Sequence, residues 1–346
     1  MINIAGAAEG RVARIASEMI KEEKGQSLIV VPTFNRAKRL ATDLSFFHAY
    51  DNPEEGSVPI YILPPEEESY IQYEAKNNDS LLERMKCLKA AAGGKDCIII
   101  APVTGAIKKL PPKAVFTENM IDVKRGQELD LEEMKSRLSS MGYERVSAVE
   151  GRGEYSIRGG IIDIYTPEGE DPYRIELFDA EVDSIRSFDP DTQRSTGDLS
   201  GVEVFQCTQI ARDEAVFARA KEKIRKAYDK RIKRAEKDGK QTEQSFHLKE
   251  RRDQLIEYSE RMINLQYMEK FIGYFYDTAE YIWDYMDEPT VLIDDPARIL
   301  ETLQVFEKER GDDIELILTE GRGISEDFAS MSGTSDYYML YGIPER

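Results

Sequence analysis

Two stretches carry residue types that act on phosphate. Near the start, I-A-G-A-A-E-G-R-V aligns with the phosphate-binding pattern G-x-x-x-x-G-K-[ST] if Gly10 takes the second glycine position, Arg11 the lysine and Val12 the hydroxyl. In a working loop the glycines let backbone N–H groups approach the phosphates, the lysine neutralises charge and the hydroxyl holds Mg²⁺. Here Ala5 replaces the first glycine, valine cannot ligate a metal, and Glu9 repels a triphosphate. The stretch reads as a remnant, in which Arg11 keeps one possible phosphate contact and a plain helix start is the simpler account. The second stretch, V-L-I-D-D at 291–295, ends a strand in acids, as in nucleotide hydrolases. Without a loop Asp294 has no catalytic partner, and Pro296 directly after it points to a turn or helix start. No catalytic residue, metal or cofactor is expected.

A third constellation suits docking instead of catalysis. From Tyr173 the residues alternate with the two-residue period of a strand: Tyr173, Ile175 and Leu177 on one face, Arg174, Glu176 and Phe178 on the other. With the aliphatic face inside, Arg174 and Phe178 project outward, and an aromatic beside arginine is the composition of an interface centre. The preceding strand has Tyr155 and Ile157 in one phase and Ile162 and Ile164 in the other, with Gly159 and Gly160 between, where a bulge would absorb the slip. Arg158, opposite in parity to Tyr155 and Ile157, joins the outer face. A purely structural reading stays open: parity slips at bulges, Phe178 then turns inward, and Arg174 pairs with Glu176 or a cross-strand acid.

These side chains are positioned by a chain of 346 residues, 41% hydrophobic, which suffices for a sizeable core in two or three domains. No apolar run reaches membrane length and the start lacks a secretory pattern, so a cytoplasmic protein is expected. Cys87, Cys97 and Cys207 have no metal-like spacing, and with only His48 and His247 a zinc site has few members. The net charge of -19 opposes general nucleic-acid affinity. Charge is uneven, however: 219–240 holds eleven Lys or Arg against four acids. Phe217, Ile224, Tyr228 and Ile232 recur through that run at helical spacing. A solvated amphipathic helix is the first reading of it, a nucleic-acid contact the second.

Strands over 27–31, 59–63 and 97–101, alternating with helices over 35–47 and after Asp79, predict a parallel sheet covered by helices. Pro111-Pro112 punctuates the chain. A helix over 131–141, stopped by Gly142, and then short strands without intervening helices predict a small antiparallel α+β unit. Long helices over 214–238 and 243–274, a last strand at 291–293 and an acidic, glycine-rich tail from Gly311 complete the expectation. The divisions fall at 1–117, 118–207 and 208–346.

The run from G-Y-E-R-V at 142–146 through G-E-Y-S-I-R-G-G-I-I-D-I-Y and R-I-E-L-F-D-A-E-V-D-S-I-R-S-F-D to T-Q-R-S closely resembles the bacterial transcription-repair coupling factors, in the N-terminal module they share with the excision-repair protein UvrB. S-L-I-V-V-P-T-F-N-R-A-K-R-L-A and I-I-I-A-P-V-T-G-A-I-K-K-L-P-P extend the resemblance to the first domain and V-L-I-D-D-P-A-R-I to its closing half. UvrB itself fits less well, since it keeps a working phosphate loop. The resemblance implies an α/β fold: a degenerate, ATPase-dead P-loop helicase-like domain with a parallel sheet, split by an inserted α+β domain that recruits UvrA. It further implies that two arginines and a phenylalanine make that contact, at positions matching Arg158, Arg174 and Phe178. RNA polymerase and DNA are engaged, on this reading, by other regions of a longer protein.

Overall fold

The computed structural model describes residue 4 and residues 9–51, 58–65, 79–236 and 242–342. The chain begins with α1 (Glu9–Glu23), β1 (Gln26–Val31), α2 (Phe34–Asp51), β2 (Ile60–Ile62), α3 (Asp79–Ala92) and β3 (Cys97–Pro102). After two short helices, α4 (Val103–Ala106) and α5 (Lys113–Asn119), come β4 (Ile121–Lys124) and α6 (Leu131–Ser140). Seven strands follow: β5 (Glu144–Arg145), β6 (Glu154–Arg158), β7 (Ile161–Ile164), β8 (Tyr173–Phe178), β9 (Glu181–Phe188), β10 (Ser195–Leu199) and β11 (Gly201–Val204). The remainder comprises α7 (Glu214–Ala235), α8 (Glu243–Arg261), α9 (Leu265–Met268), α10 (Ile272–Phe275), α11 (Ile282–Tyr285), β12 (Thr290–Ile293), α12 (Pro296–Thr319) and α13 (Thr334–Tyr338).

The first sheet is parallel throughout, in the order β12-β1-β3-β2. Every residue of β1 and β3 is buried, which a parallel sheet with helices on both faces requires. Alternation divides them between two layers. Ile29, Val31, Ile98 and Ile100 pack on Ala13, Ala16, Ala37, Leu40 and Leu44 of α1 and α2. Leu28, Val30, Ile99 and Ala101 join Met85 and Leu88 of α3, Ile282 of α11, and Ile299 and Leu303 of α12. Each fully buried aliphatic side chain contributes about 1.5–3 kcal/mol. The expected βαβ alternation thus holds, and β12 closes the sheet beside β1 after nearly two hundred residues spent elsewhere. The crossing is tied where the double proline stands: Leu110 and Glu280 exchange backbone hydrogen bonds of 2.7 and 3.0 Å, and Tyr285 Oη donates to Pro111 O at 2.6 Å.

The second sheet runs β10-β9-β8-β7-β6-β5, antiparallel except for the parallel β5–β6 edge. Its inner face packs on α6 and on the two-stranded β4–β11 sheet through Ile121, Val123, Met134, Leu138, Ile162, Ile175, Ile185 and Val202. Asp130 caps α6 by accepting from the N–H groups of Glu132 and Glu133 at 2.8 and 2.9 Å. Gly142 then turns the chain at φ 90, and a side chain there would meet Thr208 at 2.7 Å.

One expectation for the C-terminal third is corrected, and the state of the tail, which the sequence left open, is settled. The helix anticipated over 243–274 stops at Arg261, because Met262 and Asn264 take left-handed conformations (φ 49 and 53). No Gly or Pro announces this break. It folds Leu265, Tyr267, Met268 and Phe271 back onto the inner sides of α7 and α8, where burial outweighs helix continuation. The glycine-rich tail from Gly311 is also structured: Gly311 lies inside α12, and Ile324, Asp327, Tyr337 and Leu340 beyond it are buried. The turn expected around Gly239 lies outside the described residues, and the helix expected over 214–238 ends at Ala235, with 237 and 238 outside the described residues.

Gly311 sits on a solvated stretch of α12 with open space around its Cα. Gly311→Ala is therefore expected to raise stability by about 0.5–1 kcal/mol, read as a higher urea midpoint at unchanged slope.

Candidate functional site

Arg158-Gly159-Gly160-Ile161 is a two-residue hairpin turn, with Arg158 facing Ile161 and Gly159 at φ 61. The phase change between Tyr155/Ile157 and Ile162/Ile164 is thus a chain reversal, not the bulge expected. A Cβ on Gly160 would lie 3.0 Å from Leu177 O. The next hairpin turns at Asp179 (φ 60) and Ala180, with Phe178 facing Glu181. Leu177 N donates to Gly160 O at 2.8 Å, which brings both hairpin tips to one edge of the sheet.

Parity then sorts the side chains. Ile157, Ile162, Ile175 and Ile185 line up inward, while Ser156, Asp163, Arg174 and Arg186 form one outward row and Arg158, Ile161, Glu176 and Ser184 the next. The register shift beside Glu176 is taken up in β9, at Asp183, so the alternation of β8 survives to its end. Phe178 is accordingly outward and 80% exposed, and Ile161 beside it is 36% exposed.

The arginines are a different matter. Arg174 donates from Nε to Asp163 Oδ1 at 2.7 Å, from Nη2 to Asp163 Oδ2 at 2.9 Å and from Nη2 to Gln193 Oε1 at 3.0 Å. Its guanidinium lies 4.4 Å over the Phe188 ring. Arg158 Nη2 donates to the same Asp163 Oδ2 at 2.8 Å. One carboxylate, 1% exposed, thus gathers two guanidinium groups whose side chains are 18% (Arg174) and 52% (Arg158) exposed. The Asp163 hydrogen bond raises the Arg174 pKa above its ordinary value. The cross-strand pairing left open for Arg174 is what forms, although with Asp163 and not Glu176. Glu176 instead accepts from Arg186 and Ser184, both at 2.8 Å. At the tips Arg158, Ile161 and Phe178 are exposed, together with the turn residues Gly159, Asp179 and Ala180 and with Glu181, whereas Arg174 is not.

Sequence reasoning missed Asp163, Ile161 and Gln193. For the first two a signal existed: I-R-G-G-I read as a two-residue hairpin sets Ser156 opposite Asp163, making that acid the diagonal neighbour of Arg158 on the outer face. Gln193 belongs to a loop, positioned at φ 59 and donating to Pro190 O at 2.8 Å, and nothing local announces its reach to Arg174.

The phosphate-type stretches do not come together as a site. Gly10, Arg11 and Val12 lie in the first turn of α1, with Gly10 and Arg11 exposed, while residues 5–8 of that stretch fall outside the described residues. Asp294, at the end of β12, accepts from Arg36 Nε at 2.6 Å in a pair whose side chains are both largely buried. Asp295 caps α12 by accepting from Arg298 N at 3.2 Å, which is the helix start expected there. Among the described residues no His, Cys, Asp and Glu cluster could hold a metal ion, and burial raises the pKa values of Cys87 and Cys97 to about 12 and about 11. A cavity of about 500 Å³ between α8 and the segment after α12 is lined by His247, Arg251, Tyr267, Phe271 and Asp327. Asp327 serves the fold there: Tyr228 and Tyr274 donate to it at 2.6 and 2.8 Å, and burial raises its pKa.

Residues 121–209 match the family model of the UvrB interaction domain, a span holding the whole six-stranded sheet and both hairpin tips. The chain is 30% identical over 325 residues, 92% of its length, to a transcription-repair-coupling factor of Staphylococcus aureus, and covers 26% of that protein. The counterpart in Staphylococcus haemolyticus is 29% identical over 98% of the chain, covering 28% of the relative. In Staphylococcus epidermidis the figures are 30%, 93% and 26%. The chain thus spans about a quarter of the length of these curated relatives. It is a UvrB-homology module of the transcription-repair-coupling-factor family, with a UvrB interaction domain at its centre.

Proposed function

We propose that this module recruits UvrA and so links stalled RNA polymerase to nucleotide excision repair, acting as an adaptor with no ATPase site of its own. The observation that carries this reading is Phe178, a large aromatic held 80% exposed at the hairpin end of an interior strand, on the face that also carries Ile161 and Arg158, inside the UvrB interaction domain. Exposed apolar groups ringed by polar ones are typical of interface centres. Phe178 would enter an apolar pocket on UvrA, and Arg158 would offer its unengaged donors to a carboxylate or carbonyl there. Arg174 contributes by holding the carboxylate that fixes Arg158. RNA polymerase would be met by other parts of the longer protein.

On this reading the parallel-sheet part, 1–117 with 208–346, is a degenerate P-loop helicase-like domain, and 118–207 is inserted into it. The Arg36–Asp294 pair supports the absence of a nucleotide site, since the acid that would face magnesium already has a cation.

Calorimetric titration of UvrA into the chain tests the proposal. Saturable binding is expected, weakened on the order of tenfold by Arg158→Ala, as suits loss of a charge-assisted contact. Absence of binding by the folded wild-type chain would remove the proposal. A parallel titration with Mg-ATP is expected to give no heat; binding lost on Arg11→Ala would favour a residual nucleotide site instead.

A further inference from the structure

We propose that the outward face of α7 docks on the phosphate backbone of duplex nucleic acid, through a surface separate from the UvrA-directed sheet edge. α7 buries Phe217, Ala220, Ile224, Tyr228 and Ile232. At 3.6 residues per turn the opposite line is Arg219, Lys223, Lys226, Lys230 and Lys233, all within about 40° of one another's mean direction and spanning about 21 Å. Arg219, Lys226, Lys230 and Lys233 are exposed.

The acids nearby are mostly committed elsewhere. Asp229 is held by Arg252 at 2.6 Å, and Glu222 turns to Arg225 at 3.3 Å. Asp277 does meet the stripe, pairing with Lys223 at 2.7 Å and lying in the field of Arg219. Lys226, Lys230 and Lys233 make no ion pair among the described residues. Residues 219–240 carry a net +7, which leaves -26 for the rest of the chain. A polyanion is therefore repelled by the net charge of the rest of the chain and attracted to this basic run.

The form of the line selects the occupant. A straight stripe of about 21 Å matches roughly six steps of a duplex strand at about 3.4 Å each. No large apolar side chain of α7 is exposed, so the helix lacks both the aromatic platforms that stack single-stranded bases and the apolar face that enters a bilayer. Lysines reaching phosphates position a protein on a duplex without reading its sequence.

Fluorescence anisotropy with a labelled duplex, using the full chain across a salt series, tests this. The expected result is an affinity whose logarithm falls linearly with log salt. Exchanging Lys226, Lys230 and Lys233 together for Gln should flatten that slope by about 2.7, at about 0.9 per phosphate contact, with equal losses on unrelated sequences. Helix content by circular dichroism is expected to be unchanged, since all three residues are exposed. No duplex binding by the wild type at about 50 mM salt, an unchanged slope in the triple variant, or association with anionic vesicles and not with DNA would each overturn the assignment. None of these outcomes depends on UvrA.

Discussion

Truncating Arg174 to alanine is expected to lower the free energy of unfolding by about 3–5 kcal/mol, the cost of leaving a buried charge without its main partner. Asp163 is almost wholly enclosed, and two of its three hydrogen bonds from arginine come from Arg174. Arg158 alone, with one bond at the margin, cannot compensate it. Loss of the guanidinium also removes the cover over Phe188 and the partner of Gln193. Arg174→Lys keeps the charge and loses the two-pronged geometry, so it should fall between wild type and alanine. Urea unfolding supplies the comparison, and a change within 0.5 kcal/mol for Arg174→Ala would show that Asp163 is not held as described. For the same reason, reduced partner binding by an Arg174 variant reports on contact only after the folded fraction has been matched.

Phe178→Ala is expected to do the reverse: to leave unfolding within about 0.5 kcal/mol of wild type and to weaken UvrA binding by on the order of 2 kcal/mol, roughly thirtyfold. The ring is 80% exposed and belongs to none of the apolar clusters, so little is lost on folding when it is removed. Its value, on the proposed reading, is realised only when a partner covers it. Calorimetry with UvrA and a parallel urea titration give both numbers. Unchanged affinity with intact folding would leave the exposed phenylalanine without the role assigned to it.

Much of this was legible along the chain because it depends on period alone. Two-residue alternation placed Ile175 inside and Phe178 outside, and helical spacing assigned Phe217, Ile224, Tyr228 and Ile232 to the buried side of α7, all as found. The βαβ order of the first hundred residues gave the parallel sheet. Such patterns record which side of an element faces away from water, a property each segment carries by itself. Pairing between segments is not so recorded. That Arg158 and Arg174 converge on Asp163 follows from the register of three strands, and one residue of slip in any of them would separate the charges. The break at Met262 and the order beyond Gly311 were likewise decided by packing: Leu265, Phe271, Ile324 and Tyr337 find burial only against elements distant in sequence. The residues alone therefore settled which faces of these elements are wet. Tertiary structure decided which charges meet, because that requires strands and loops to arrive together at distances no local period encodes.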